Sequence, residues 1–372
     1  MQSLDMLAED RPDSVVALSP GDIGGQYRTH SAPTPHGLMS ELPLTEAAAR
    51  SVGEGRLMTR RVLSGTDDRL LAVVGPCSIH DVNAGLAYAK SLGELAADLA
   101  DDLAVVMRVY VEKPRTTVGW TGLLTDPALD GSLDVNHGLR TARTLMLEIA
   151  ELGLPIATEW LSPSAPVYLA DLISWGAIGA RTVESQVHRQ LASGLPMPVG
   201  MKNGSTGSVS VAVDAIRSAA APHAYLGVDR DGRAVTLRTS GNPDCHVVLR
   251  GGSGRPNYHP ENVREAARLL AAAALPTGVV IDASHGNSGK DHERQAVVAR
   301  EIGAQVAAGN TDIRGVMLEG FLIPGRQDLG PEEPVFGQSV TDACMGWDAT
   351  ADVLRDLAAA TRQRRAVTAS AR

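Results

Sequence analysis

Two groups of side chains in this sequence carry chemistry beyond packing. The first is basic: Arg108, Lys113, Arg181, Lys202 and Arg250. Arg offers a planar fork to carboxylate or phosphate, and Lys offers a compact charge. Any one of them alone reads as a surface ion-pair partner. Gathered in one place they would repel each other unless an anion held them, so together they predict a pocket for small phosphorylated ligands. The second group is Cys77, His285, Glu319 and Asp342. Singly, Cys77 would be a small core residue and His285 a hydrogen-bonded loop residue. As a set, thiol, imidazole and carboxylates suit a divalent Mn, Fe, Co or Zn ion better than Mg or Ca. Such an ion polarises a carbonyl as a Lewis acid. A Schiff-base role for Lys202 is the other chemistry on offer, since desolvation and neighbouring positive charge both favour the neutral amine. It leaves the Cys, His, Glu and Asp set without a purpose.

The elements that must gather these groups are legible as short apolar runs alternating with helical patterns. The runs are Leu71–Cys77, Ala104–Val111, Pro155–Trp160, Ala177–Arg181, Pro198–Lys202, His246–Arg250, Gly278–Ala283 and Ile313–Glu319. Their length and β-branched content predict buried parallel strands. Between them Leu86, Ala89, Leu92, Leu95 and Leu99 recur at helical spacing, as do Leu139, Ala142, Met146, Ile149 and Leu152. Further helices are expected near residues 166–175, 209–220, 261–274, 292–307 and 350–364. Strands joined by helical crossovers predict an α/β fold of the (β/α)8 TIM-barrel type. The stretch Tyr225–Thr239, with Asp231-Gly232 inside it, predicts an inserted β-hairpin. In such a barrel Cys77 ends the first strand, Arg108 lies on the second, Glu159 is near the end of the third, and Arg181 ends the fourth. Lys202 ends the fifth, Arg250 the sixth and Glu319 the eighth, while His285 and Asp342 follow the seventh and eighth. All then meet at the C-terminal face, where barrel enzymes do their chemistry.

Composition sets the frame. The chain has 372 residues, 44% of them apolar but only 3% aromatic, so aliphatic side chains must build the core. One barrel, residues 37–372, accommodates that length, preceded by a Pro-, Ser- and Gly-rich stretch, residues 1–36, expected to be a flexible arm. The basic tail Arg362–Arg372 is expected to fray. A net charge of −9 gives no general attraction to nucleic acid. No apolar run reaches the ~20 residues of a membrane span, and no secretory signal is evident. Three cysteines, Cys77, Cys245 and Cys344, make no disulfide framework and point to the cytoplasm.

The reactive residues sit in long motifs: Gly75-Pro76-Cys77-Ser78-Ile79-His80-Asp81, Met107-Arg108-Val109-Tyr110 and Glu112-Lys113-Pro114-Arg115-Thr116-Thr117-Val118-Gly119-Trp120. There follow Gly179-Ala180-Arg181-Thr182, Glu184-Ser185-Gln186-Val187-His188-Arg189, Lys202-Asn203-Gly204, Leu249-Arg250-Gly251-Gly252, Asp282-Ala283-Ser284-His285 and Thr341-Asp342-Ala343-Cys344. In these the chain closely resembles the type I 3-deoxy-D-arabino-heptulosonate-7-phosphate (DAHP) synthases of the microbial group regulated by aromatic amino acids, from about Leu38 to Arg364. The resemblance implies condensation of phosphoenolpyruvate with D-erythrose 4-phosphate and water, the first step of the shikimate route. It implies metal ligation by Cys77, His285, Glu319 and Asp342. Arg108, Lys113, Ala180, Arg181, Lys202 and Arg250 would hold phosphoenolpyruvate. Lys113, Pro114, Arg115 and Thr116 would contact erythrose 4-phosphate, and Glu159 would lie near the attacking water. The same resemblance implies a homodimer or homotetramer and assigns the His188 motif a structural part. Related synthases that take arabinose 5-phosphate, and a catalytically silent regulatory barrel, are the competing readings. The intact Lys113–Thr117 loop and the intact ligand set argue against them. Two departures stand out. Glu319-Gly320-Phe321 replaces a more usual Glu-Ser-His or Glu-Ser-Asn. Pro196 stands where feedback-sensitive members carry Ser in the effector pocket, which argues against inhibition by phenylalanine or tyrosine and would suit a copy serving a secondary pathway.

Overall fold

A computed structural model describes residues 30–330 and 332–370. Its first half runs α1 (Pro35–Glu41), α2 (Glu46–Ser64), β1 (Leu70–Gly75), α3 (Val82–Asp98), β2 (Leu103–Arg108), α4 (Val135–Glu151), β3 (Ile156–Glu159), α5 (Pro166–Leu169), β4 (Trp175–Ile178), α6 (Gln186–Gly194) and β5 (Val199–Lys202). The second half runs α7 (Ser210–Ala219), β6 (Ala224–Val228), β7 (Ala234–Arg238), β8 (Cys245–Leu249), α8 (Pro260–Ala272), β9 (Val279–Asp282), α9 (His285–Ser288), α10 (His292–Ala307), β10 (Ile313–Glu319), β11 (Ile323–Arg326), β12 (Gln338–Ser339) and α11 (Trp347–Ser370). β1, β2, β3, β4, β5, β8, β9 and β10 close into one parallel barrel in that order, β10 returning to β1. This is the TIM barrel expected from the alternating pattern, and β6 pairs with β7 as the expected antiparallel hairpin. Among the described residues no helix is long and apolar enough to cross a membrane.

Strand side chains alternate between two cores, because successive residues of a strand face opposite sides. Leu71, Val73, Ala104, Val106, Ala157, Trp175, Ala177, Val248, Val280 and Met317 fill the barrel interior. Their neighbours Leu70, Ala72, Val74, Val105, Met107, Val247 and Ile281 pack outward under the helices. Continuing the inward parity toward the strand ends gives Arg108 after Val106, Glu159 after Ala157, Arg250 after Val248, Asp282 after Val280 and Glu319 after Met317. The same alternation that fills the barrel with aliphatic carbon therefore crowns it with charge.

The structure corrects several boundaries. β1 stops at Gly75, two residues before Cys77, because Pro76 has no N–H to extend the ladder. The fourth strand is Trp175–Ile178, not Ala177–Arg181. It starts early because the Trp175 indole fills the barrel floor, and Arg181 lies in the turn beyond it, where Val183 N–H donates to Gly179 O. The helix expected over residues 166–175 is only α5 followed by a 3-10 turn, Ala170–Leu172. The tail does not fray: α11 continues to Ser370. Arg364 is buried and donates to the carbonyls of Asp68 and Ile313, while Arg362 and Arg365 both pair with Asp102. At the other end α1 begins at Pro35, inside the stretch expected to be an arm, and residues 1–29 lie outside the described residues.

Candidate active site

The inward strand ends and the loops beyond them surround a small cavity of about 130 Å³. It brings together Cys77, Arg108, Lys113, Pro114, Glu159, Ala180, Arg181, Lys202, Arg250, His285, Glu319 and Asp342, so most of the residues singled out by sequence share one wall. Arg115 and Thr116 do not line it. Arg115 turns aside to donate to Trp120 O at 2.8 Å, and both sit in the exposed loop above the rim. A much larger cavity lies elsewhere, between α5, α6 and the β6–β7 hairpin; it measures about 960 Å³ and Pro196 is on its wall. Volume and chemistry therefore point to different places, and the charged residues make the small cavity the candidate reactive one.

Several of the charges at the mouth are paired. Arg108 is 1% exposed and donates to Glu319 Oε1 at 3.0 Å, with its guanidinium 3.9 Å from the centre of the Tyr110 ring. Gly75 lets the end of β1 lie close against the Arg108 backbone, since a Cβ there would stand 2.7 Å from Arg108 O. The other Glu319 oxygen accepts the Ser284 hydroxyl at 2.7 Å. The Glu319 backbone is held from α10 by Gln295, which accepts Glu319 N–H at 2.6 Å and donates to Glu319 O at 2.9 Å. Lys202 donates to Asp282 Oδ2 at 3.0 Å. The same oxygen is 3.0 Å from His285 Nδ1, a contact short in distance but poorly directed for a hydrogen bond. His285 reaches the mouth through a left-handed backbone, φ 50°, at the start of α9. Gly179 leaves room for Glu159, whose Oε1 would be 2.1 Å from a Cβ there.

Electrostatics follow from burial opposed by neighbours. Burial alone would raise the Asp282 carboxyl, but His285 and Lys202 hold it far below the usual range. Glu319 is likewise lowered against its own desolvation, by His285, Arg108 and Lys113. Desolvation would strip the proton from Lys113, yet Cys77, Glu319 and Asp342 raise its pKa and keep it charged. The Cys77 thiol is pushed up by burial and by Glu319, against the pull of Lys113.

Among the described residues, no group of three or more His, Cys, Asp and Glu side chains stands ready-made around a common point. The reason is visible: the Lys113 ammonium sits between two of the donors, 2.8 Å from Cys77 Sγ and 2.9 Å from Asp342 Oδ2. A cation is thus already held where the thiol and carboxylate converge. Cys77 Sγ is 3.7 Å from Asp342 Oδ2, and His285 Nε2 is 3.6 Å from Glu319 Oε1. Two ligands at roughly 2.0–2.3 Å from one tetrahedral ion stand roughly 3.3–3.8 Å apart. Both donor pairs have that spacing, so the residues fit a divalent transition metal once Cys77 yields its proton and Lys113 moves aside.

Sequence reasoning missed Asp282, Ser284, Gln295, Tyr110 and Glu112. Parity with Val280 would have found Asp282. Tyr110 has a buried hydroxyl with no partner in the described chain, facing the cavity. Gln295 has no sequence signal, because its task is set by the backbone of a distant strand.

Three comparisons agree with the geometry. The profile of the DAHP synthetase I family matches residues 41–355. The Phe-sensitive phospho-2-dehydro-3-deoxyheptonate aldolase of Escherichia coli K12 is 52% identical over 332 residues, covering 89% of this chain and 95% of that one. The phospho-2-dehydro-3-deoxyheptonate aldolase of Corynebacterium glutamicum is 48% identical over 345 residues, covering 91% and 93%. The solved phospho-2-dehydro-3-deoxyheptonate aldolase of Francisella tularensis SCHU S4 superposes with a TM-score of 0.90 at 44% identity, covering 91% of this chain and 99% of that one.

Proposed function

This chain belongs to the DAHP synthetase I family, and from that premise we propose how its barrel mouth performs the family's reaction. It condenses phosphoenolpyruvate with D-erythrose 4-phosphate and water, giving 3-deoxy-D-arabino-heptulosonate 7-phosphate and phosphate, the first step of the shikimate pathway. The observation that carries the residue assignment is the convergence of Arg108, Lys202 and Arg250 with Cys77, His285, Glu319 and Asp342 on one cavity.

Phosphoenolpyruvate brings a carboxylate and a phosphate, and Arg108, Lys113, Arg181, Lys202 and Arg250 supply the cations to bind both, with Ala180 beside them. Lys113, Pro114, Arg115 and Thr116 take the aldose phosphate, Arg115 and Thr116 closing over it from the exposed loop. Carbon 3 of the enol bonds to the aldehyde carbon, and positive charge develops at carbon 2. Lys113, held charged by its anionic neighbours, protonates the new alkoxide. Water adds at carbon 2 and gives its proton to Glu159. The bond from carbon 2 to the bridging oxygen breaks as the carbon-2 hydroxyl becomes the ketone carbonyl, its proton leaving with the phosphate. Holding two anions together in one orientation supplies several kcal/mol of the acceleration, and the fixed cations supply more.

A divalent Mn, Fe, Co or Zn ion held by Cys77, His285, Glu319 and Asp342 would polarise the aldehyde oxygen. Ser284 orients Glu319 by a hydrogen bond and Asp282 stands beside His285 as its counter-charge, supporting contacts of the kind that ligands of such an ion need. The three cysteines are free and buried, in keeping with a reducing cytoplasm. A homodimer or homotetramer is supported by the hairpin, where, among the described residues, Leu226 is 81% exposed and β6 and β7 pair only with each other. Pro196 offers neither hydroxyl nor N–H to the 960 Å³ cavity, in keeping with insensitivity to phenylalanine and tyrosine.

Phosphate release with phosphoenolpyruvate and either aldose phosphate tests the assignment. Turnover with erythrose 4-phosphate that stops on chelation is expected. Turnover with arabinose 5-phosphate alone would overturn the acceptor, and full activity after metal removal would overturn the metal.

A further inference from the structure

The ladder between β2 and β3 is short: Met107 pairs with Ile156 and Arg108 with Ala157. Val109 N–H donates to Ala157 O at 2.8 Å and the Thr158 hydroxyl to Val109 O at 3.0 Å, and there the pairing ends. Lys113 and Glu159 lie beyond that point, on chains that have parted. Something else must fix their separation.

The Leu161–Ser162 segment provides it. The Glu112 carboxylate, buried and immediately before Lys113, accepts Ser162 N–H at 3.1 Å and Leu161 N–H at 3.4 Å. On the opposite side His188, from α6, stands with Nε2 3.0 Å from Leu161 O. A carbonyl oxygen only accepts, so Nε2 carries the hydrogen. Nδ1 is then the acceptor, and the Ser185 hydroxyl lies 3.0 Å from it. Ser185 occupies the N-cap of α6 but makes no side-chain capping bond, so its hydroxyl serves the imidazole instead of the helix. Leu161 itself lines the reactive cavity. Burial raises the Glu112 carboxyl to about 7, a cost that a purely local fold has no reason to carry.

We propose that Glu112 and His188 are positioning residues for the acceptor half of the reaction, gripping Leu161–Ser162 from both sides so that Lys113 and Pro114 keep a fixed place opposite Glu159. The inference rests on the assignment of Lys113–Thr116 to the aldose phosphate. Of the phosphoenolpyruvate cations, Arg108, Lys202 and Arg250 stand on other supports; Lys113, shared by the two substrates, and Arg181, which donates to Pro114 O at 3.0 Å, link the two halves.

The test is steady-state kinetics with KM measured separately for the two substrates, beside thermal unfolding. His188→Leu is expected to raise KM for erythrose 4-phosphate about tenfold, the loss of roughly one hydrogen bond, with a clearly smaller rise in KM for phosphoenolpyruvate. His188→Gln, whose amide N–H can reach the same carbonyl, is expected to recover most of that loss. Glu112→Gln keeps a single acceptor oxygen and sets an NH2 group against backbone N–H donors; it is expected to show the same substrate-selective rise, and it carries the test if His188→Leu does not fold. Equal rises in both KM values, a fall in unfolding temperature with unchanged KM values, or no difference between Leu and Gln at residue 188 would each overturn the inference. Failure of the underlying functional reading shows separately, as a wild-type enzyme that does not turn over this substrate pair.

Discussion

Two cavities of the molecule contrast in nearly every respect. The mouth of the barrel is about 130 Å³ and crowded with charges whose partners come from different strands. The lateral cavity is about 960 Å³, walled by Leu191, Leu195, Leu226 and Leu237, and built from a helix and an inserted hairpin. Strand parity positions the first, and loop and insert residues position the second. Chemistry is thus placed on the rigid closed sheet, while the part of the surface that can change without disturbing catalysis lies outside it.

Substitutions at the two places should separate them. Glu319→Gln, at the mouth, is expected to have the largest effect. It removes a proposed ligand and the carboxylate bonded to buried Arg108, so kcat should fall by about 10²–10³-fold and denaturant unfolding should show a loss of about 3 kcal/mol. A folded, fully active variant would erase the contrast. Leu191→Ala, on the lateral wall, should cost about 2–3 kcal/mol of stability, as for other buried leucines, while kcat and both KM values stay as in the wild type. A kinetic change there would tie the two cavities together.

A pH experiment sharpens the comparison further. The Glu112 carboxyl rises from its ordinary 4.5 to about 7 on burial, with Glu159 adding to the rise. Its folded form holds the proton more tightly than its unfolded form. Its contribution to stability is therefore full below about pH 4.5 and is lost as pH climbs through about 7. Unfolding followed from about pH 5 to 8 should show wild-type stability declining relative to Glu112→Gln by on the order of 2–3 kcal/mol; parallel curves would mean the carboxyl is not perturbed. The smallest effect is expected from effectors: phenylalanine or tyrosine should leave the rate unchanged, and inhibition by either would show that Pro196 does not disable the lateral cavity.

How much of this was legible follows from what each residue answers to. Arg108, Lys202, Arg250 and Glu319 answer to local parity, so the apolar runs before them announced both strand and direction. Cys77 and Arg181 sit past their strands, where Pro76 and the Gly179 turn decide the path, and the runs overreached. The tail was misread because Arg364 and Arg365 looked solvated, whereas their partners Asp68 and Asp102 are far away in sequence. Asp282 was within a quoted motif yet overshadowed by His285. Gln295 and His188 act on the backbones of Glu319 and Leu161, and no pattern in the residues themselves encodes a carbonyl's position.

The central claim is that the strand-end cations, not the larger cavity, hold phosphoenolpyruvate. Calorimetric titration of phosphoenolpyruvate into the wild type, Lys202→Met and Leu191→Ala tests it most directly. Binding weakened by about 10²-fold in Lys202→Met, the scale of a lost charge-assisted bond, and unchanged in Leu191→Ala is the predicted result. Unchanged binding by Lys202→Met, or binding lost in Leu191→Ala, would contradict it.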